Sequence, residues 1–256
     1  MKIVAMIPAR IGSERLKFKN LALINNKPLI YYSIKAALNS KIFEKIYINS
    51  DNRIFEKISK RYSTNFYLRK KKLGSSNTKS DDVVYDFLKN IESDILVWVN
   101  PISPLLLEED IKKTVKYFIK NNYDSLITVS NKYAHSLIND KPINFKINET
   151  FKKTQDLKAI KIMNYSLMLW RSSSFIKSFE KKGHALLHGN VGYYEISSNS
   201  QYIVKYAEDL EIISQILKRK MHKKKYLNVK YDSILKNYVS WKKTYSKTKE
   251  GEGRWE

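Results

Sequence analysis

Lys2-Ile3-Val4-Ala5-Met6-Ile7-Pro8, continuing as Ala9-Arg10-Ile11-Gly12-Ser13-Glu14-Arg15-Leu16-Lys17-Phe18-Lys19-Asn20, is the stretch on which the fold turns. The run Val4–Ile7 is apolar at every position, so both faces of the strand it predicts are buried. Pro8 ends it. The following loop carries Arg10, Arg15, Lys17 and Lys19, with Gly12 and the Ser13 hydroxyl. Those are the parts that bind phosphate: close backbone approach at glycine, amide and hydroxyl donors, and cationic side chains. The spacing is neither that of a dinucleotide-binding glycine fingerprint nor that of the kinase/ATPase phosphate loop. An ordinary basic loop has the same composition, so the loop alone leaves both readings open.

Outward from this stretch, strand and helix patterns alternate. Residues 28–39 predict a helix with Pro28 in its first turn. Lys45–Asn49 predicts a strand, 52–62 a helix with Ile54, Phe55 and Ile58 on one face, and Phe66–Leu68 a short strand. A polar loop, 70–78, holds Gly74-Ser75-Ser76-Asn77. A helix is predicted over 79–91, a buried strand over Asp94–Val99, a helix from Glu108 to Asn121 and a strand over Ser125–Val129. This alternation predicts a parallel sheet with helices on both faces. Residues 132–165 break the pattern with short pieces and turns, and read as an excursion from the sheet. Strands at Tyr165–Trp170 and Val191–Ile196, and helices at 172–182 and 207–217, follow. Residues 218–256 read as a basic C-terminal tail with a helix near 230–240. The domain organisation is therefore 1–217 plus that tail.

The chain has 256 residues and a net charge of +23. An anionic partner explains such a charge. So does the codon bias of an AT-rich genome, because Lys, Asn, Ile and Tyr are abundant together. Nucleic acid is disfavoured, since no recognised binding module accompanies the basic tail. No apolar stretch reaches about 18 residues, so no membrane span is expected. The apolar part of the N-terminus is too short for a signal peptide. With no cysteine, thiol catalysis, disulfides and thiolate–zinc sites are excluded and a cytoplasmic location is expected. His184 and His188 have the spacing of one helix face but lack a third ligand, so surface or substrate-contact roles are expected. Asp81-Asp82 is either a metal pair or a complement to a helix dipole. Asp51, just past a strand end, is the stronger acidic candidate.

Ile7-Pro8-Ala9-Arg10, Gly12-Ser13, Arg15 and Lys19-Asn20 resemble the signature of the acylneuraminate cytidylyltransferases, the CMP-sialic acid synthetases. The likeness continues in order through Lys27-Pro28-Leu29-Ile30, Asn49-Ser50-Asp51, Leu68-Arg69 with Leu73, and Asn100-Pro101-Ile102-Ser103-Pro104-Leu105. It covers roughly 3–217. The resemblance implies a three-layer, Rossmann-like nucleotidyltransferase fold with a mostly parallel sheet. It also implies a reaction in which a 2-keto sugar acid of the nonulosonate type attacks CTP, with Mg²⁺ assisting, to give a CMP-sugar and pyrophosphate. By the resemblance, Arg10 and Lys19 are the catalytic cations on the triphosphate. Ala9, Gly12, Ser13, Asn20 and Arg69 complete the nucleotide site. Asn100, Ser103, Gln155 and Asn164 are the candidates for the sugar acid. A homodimer is implied, with 132–165 contributing to contact or to sugar binding.

The departures are as informative. Where the family carries an Asp-x-Asp metal pair before its late helix, this chain has Ile203-Val204-Lys205. Neither Ile203 nor Lys205 is a ligand for a hard cation, so the metal residues are unknown. Leu106 replaces an arginine, and 164–168 differ from the family pattern. Three alternatives stay open: another nucleotide or sugar, a non-catalytic nucleotide-binding relative, and a nucleic-acid binder.

Overall fold

The computed structural model describes residues 1–221, and the element order begins with the expected alternation. Strand β1 (Ile3–Pro8) runs into the basic loop and a short 3₁₀ turn at Lys19–Leu21. A two-stranded ribbon of β2 (Leu23–Ile24) and β3 (Lys27–Pro28) leads to helix α1 (Leu29–Ser40). Then come β4 (Lys45–Ser50), α2 (Ile54–Arg61), β5 (Asn65–Leu68), α3 (Ser80–Asn90), β6 (Ile95–Val99), α4 (Glu108–Lys120) and β7 (Ser125–Lys132). A small hairpin of β8 (Leu137–Ile138) and β9 (Lys141–Pro142) lies in the excursion. The chain returns through β10 (Ile160–Arg171), α5 (Ser172–Lys182), β11 (Val191–Glu195) and α6 (Ala207–Met221).

The main sheet has seven strands in the order β11-β7-β10-β6-β1-β4-β5. β1 is central and parallel to both β4 and β6. β4 pairs with β5, and β7 with β11, also in parallel. β10 runs antiparallel to β6 and β7, so the sheet is mostly rather than wholly parallel. Alternation along each buried strand divides the core into two layers. Ala5, Ile7, Val97 and Val99 face one cluster with Ile34, Phe55 and Phe118, under α1, α2 and α4. Val4, Met6, Leu96 and Trp98 face the other, with Val84, Phe87 and Phe175, under α3 and α5. This is a three-layer α/β fold.

Three boundaries differ from the sequence reading by three residues or more, one of them the end of α6, which runs to Met221 rather than 217. β7 extends to Lys132, and β10 begins at Ile160 rather than Tyr165, so the excursion narrows to 133–159. The early part of β10 is largely exposed, which removes the apolar signal of a buried strand. Its register then shifts between Met163 and Met168, where Tyr165 has a left-handed φ of 57°. α5 closes as helices commonly do, with Gly183 left-handed at φ 72°. Contacts group Met1–Lys218 as one compact unit. The helix expected near 230–240 and most of the basic tail lie outside the described residues. Among the described residues no helix is long and apolar enough to cross a membrane.

Candidate active site

Strands in open α/β sheets present ligands beyond their carboxyl ends. Here β1 delivers Pro8 and Arg10, β6 delivers Trp98 and Asn100, and Arg69 follows β5. These residues line one cavity of about 340 Å³ with Ser13, Glu14, Arg15, Lys19 and Asn20 from the first loop. Ser75, Ser76 and Thr78 from the 70–79 loop, and Ser80 and Val83 from α3, close another side.

The first loop gathers positive charge. Burial, then Arg15 and Arg10 nearby, lowers the Lys19 pKa, and Asp209 opposes them. A cation held among cations is costly when free and favourable once a polyanion arrives. Lys19 Nζ donates to the Val204 carbonyl at 3.5 Å, and the Arg15 guanidinium lies over the Tyr206 ring at 5.8 Å. These contacts bring the 204–206 segment to the loop.

Beneath the loop lies a buried ion pair. Arg69 Nη2 stands 3.8 Å from Asp51 Oδ1, with side-chain exposures of only 4% and 9%. Every other ion pair among the described residues is more exposed. Arg69 Nη1 also donates to Asn49 Oδ1 at 3.5 Å, and Asp51 Oδ1 accepts Ile11 N–H at 3.1 Å. Asp51 thereby ties the loop after β1 to the residue after β5. Burial lowers the Arg69 pKa and Asp51 counters that. Gly74 packs so closely on Asp51 that a Cβ there would overlap the carboxylate.

Several buried polar atoms in the cavity lining lack a partner: Asn20 Oδ1, Arg69 Nε and Trp98 Nε1. Asn20 spends its Nδ2 on the Arg10 carbonyl at 3.4 Å. Asn100 donates Nδ2 to the Tyr165 carbonyl at 3.1 Å, and its own N–H to the Ser166 carbonyl at 3.0 Å.

Of the residues expected from sequence, Arg10, Ser13, Lys19, Asn20, Arg69 and Asn100 line this cavity. Ala9, Gly12, Ser103, Gln155 and Asn164 do not. Ala9 is fully buried and its N–H donates to the Asn49 carbonyl at 2.9 Å. Ser103 is also fully buried, donating to Ser166 Oγ at 2.8 Å. Asn164 accepts from Thr128 Oγ1 at 2.7 Å and Ser166 N–H at 3.2 Å, so it shapes the β10 bulge. Gln155 is exposed on the excursion. Sequence reasoning passed over Trp98, which an apolar strand absorbed, and the hydroxyls of the 75–80 segment, which read only as polar loop.

The remaining candidates resolve into structure. His188 is buried, its Nδ1 2.6 Å from the Ala185 carbonyl and its Nε2 3.0 Å from Ser174 Oγ. The expected surface or substrate role does not hold for it. Asp81 accepts the Ala185 and Leu186 amides at 2.6 and 2.9 Å, so it clamps a loop rather than pairing with Asp82 on a metal. Among the described residues no group of three or more His, Cys, Asp or Glu could hold a metal ion. Around 203–205 the fit to magnesium fails in detail. The Val204 carbonyl is taken by Lys19, and the Asp209 carboxylate accepts the Lys205 and Tyr206 amides at 2.6 and 2.8 Å.

A family model described as cytidylyltransferase matches residues 4–250. An N-acylneuraminate cytidylyltransferase of Streptococcus agalactiae is 30% identical over 138 residues, 53% of this chain and 33% of that protein. The chain thus spans about a third of the length of the N-acylneuraminate cytidylyltransferases it matches. The post-translational flagellin modification protein B of Campylobacter coli is 29% identical over 238 residues, 86% of this chain and 96% of that protein. A solved structure of CMP:2-keto-3-deoxy-manno-octonic acid synthetase complexed with CTP superposes with a TM-score of 0.68 at 15% identity, covering 86% of this chain and all of that one. At that identity the likeness speaks for the fold alone. The family match spans nearly the whole chain and agrees with the loop motif and the sheet, so this chain belongs to the cytidylyltransferase family.

Proposed function

We propose that this chain forms a CMP-sugar from CTP and a 2-keto sugar acid of the nonulosonate type. The anomeric hydroxyl oxygen bonds to the α-phosphorus, the bond from that phosphorus to the bridging β-phosphate oxygen breaks, and pyrophosphate leaves. The proton of that hydroxyl passes to solvent in the same exchange. Catalysis of this kind rests on positioning and charge neutralisation. Arg10 and Lys19 take the catalytic role, holding the triphosphate as charge moves onto pyrophosphate, with the Ser13 hydroxyl and the Gly12 amide supporting it and Ala9 anchoring the loop to Asn49. Asn20 and Arg69 take the nucleoside. Asn100 meets the sugar acid, and Ser103 and Asn164 brace its surroundings through Ser166. Gln155 is the excursion's contact to the acid.

The observation carrying this reading is the convergence of Arg10, Arg15 and Lys19 on a cavity whose buried side holds unpaired hydrogen-bonding atoms. A resident magnesium ion does not fit the side chains at 203–205, so no step is assigned to one. Lys205, exposed at the second carboxylate's position, supplies charge instead. Lys205→Ala is then expected to lower turnover more than CTP affinity.

A second reading, a non-catalytic nucleotide binder, draws on the absence of carboxylates at Ile203 and Lys205. Incubation with each NTP and a panel of 2-keto sugar acids, with detection of pyrophosphate, separates the readings. Release with CTP and one acid supports the enzyme. Nucleotide binding without release under every pairing supports the binder, and release with a different NTP moves the assignment to another nucleotidyltransferase. We also propose a homodimer in which the excursion contributes contact, twofold assembly being the commonest form. Light scattering at micromolar concentration is expected to give twice the chain mass, and a monomer counts against it. A cysteine-free chain suits a reducing compartment, and we place the reaction in the cytoplasm.

A further inference from the structure

Trp98 and Trp170 meet edge to face, with ring centroids 6.3 Å apart at 80°. Their indole N–H groups fare differently. Trp170 is wholly buried and donates Nε1–H to the Leu186 carbonyl at 2.8 Å. Trp98 is 8% exposed, and its buried Nε1 has no partner. Buried indole N–H groups ordinarily find an acceptor, and this one, without any among the described residues, belongs to a side chain that lines the cavity.

Two more atoms of the same lining share that state. Arg69 donates from Nη1 to Asn49 and its Nη2 pairs ionically with Asp51, while its buried Nε has no partner. Asn20 has committed Nδ2 to the Arg10 carbonyl, which leaves Oδ1. All three residues are more than nine-tenths buried. The buried atoms with no partner at all are two donors, Trp98 Nε1 and Arg69 Nε, and one acceptor, Asn20 Oδ1, beside the second N–H that Arg69 Nη1 and Asn20 Nδ2 each keep. The complement of those three atoms is a ligand edge with two acceptors and one donor. Cytosine offers that edge in O2, N3 and the exocyclic amine. Val83 and Leu73 add apolar lining beside Trp98, suited to a flat ring, while the loop cations suit its phosphates.

We propose that the Trp98 indole N–H is a specificity-determining donor that takes a ring acceptor, O2 or N3, of a bound pyrimidine nucleotide. This rests on reading the cavity as a nucleotide site, and the test separates the two claims. CTP and inorganic triphosphate are titrated calorimetrically into the wild-type full chain, Trp98→Phe, and a chain carrying 3-benzothienylalanine at 98. The last keeps the ring's shape and loses only the N–H. Both variants are expected to bind CTP about 5- to 10-fold more weakly, as loss of one hydrogen bond gives. Inorganic triphosphate affinity is expected to hold within about twofold, its contacts being apart from the ring. Wild-type CTP affinity matched by the benzothienyl variant overturns the role of Trp98 while the nucleotide site stands, water then being the partner of that N–H. Equal loss for both probes overturns it in favour of a structural role. A wild type that binds neither CTP nor triphosphate removes the nucleotide reading and this proposal with it. If Trp98→Phe loses its near-ultraviolet circular dichroism, the benzothienyl chain alone decides.

Discussion

Two cavities of this protein have the same size, about 340 Å³ each, and opposite chemistry. One opens at the carboxyl ends of β1 and β6. The other lies within the excursion and is lined by 143–146, 149–152 and 156–158. The first is built from separated pieces of chain that the sheet brings together, and its buried lining holds unpaired donors and an acceptor. The second comes from one contiguous stretch. Its charged groups are exposed and partly paired, as in Lys146 with Glu149, and its Phe151 is 71% exposed. The excursion's unpaired buried atom, His135 Nε2, lies in an aromatic stack with Phe151 and not in that cavity's lining. Space alone therefore does not mark a site. An unpaired buried polar atom costs about 1–3 kcal/mol, and a rigid scaffold can hold several where a mobile surface would relax around them. The lining of the sheet-end cavity carries that cost; the lining of the excursion's cavity does not.

The comparison breaks most visibly if the buried pair beneath the first cavity is removed. Asp51→Ala leaves Arg69 charged and buried without its partner and strips the acceptor from Ile11 N–H. Loss of one partner of such a pair costs about 3–5 kcal/mol, read as a lowered denaturation midpoint. A change below about 1 kcal/mol, the scale of surface pairs, would mean that the pair is not a structural tie.

Gly74→Ala probes the same carboxylate by crowding it. Asp51 is pinned on both sides, so the new methyl must displace it, at about 1–3 kcal/mol. Unchanged stability and CTP affinity would show that the 70–79 loop yields freely.

Lys19 sharpens the electrostatic side. Its folded-state pKa is lowered below 10.5, so between that value and 10.5 the unfolded chain binds more protons. Stability from this group therefore rises with pH through that window and levels off above it. Triphosphate reverses the preference, so its binding in that window is expected to take up protons. Calorimetry in buffers of different ionisation enthalpy reads the uptake, and Lys19→Ala is expected to abolish it.

The smallest effect belongs to the excursion. Gln155→Ala is expected to leave CTP affinity within about twofold, since distant sites act independently, while raising the KM for the sugar acid. A large loss of CTP affinity would place the excursion at the nucleotide site.

Much of this was legible in the chain because burial writes itself into periodicity. Val4–Ile7 and Ile95–Val99 are apolar on both faces, and both are buried strands. Strand direction leaves no such trace, so antiparallel β10 was readable only as a strand. Its first residues were hidden by exposure and by the Tyr165 bulge. The loop cations were legible as a motif because their neighbours in sequence are neighbours in space. Arg69 needed the resemblance, and its bond to Asp51 joins residues on adjacent strands' ends. Trp98 was hidden by its own hydrophobicity, since an indole in an apolar run reads as core and its N–H is invisible to hydropathy. Ser103 shows the converse: motif spacing locates a hydroxyl along the chain but not the direction in which it points.

The most direct measurement is calorimetric titration of CTP into the wild-type chain and Lys19→Ala at neutral pH. Removing a charge-assisted contact worth about 1.5–3 kcal/mol should weaken CTP binding by roughly 10- to 100-fold. The fold should survive, because Lys19 is only partly buried and stands on the cavity side of the loop. Wild-type binding weakened to that degree in a folded Lys19→Ala chain is the expected result. Equal affinity in the two chains, or no CTP binding by either, would contradict the assignment of the sheet-end cavity to the nucleotide.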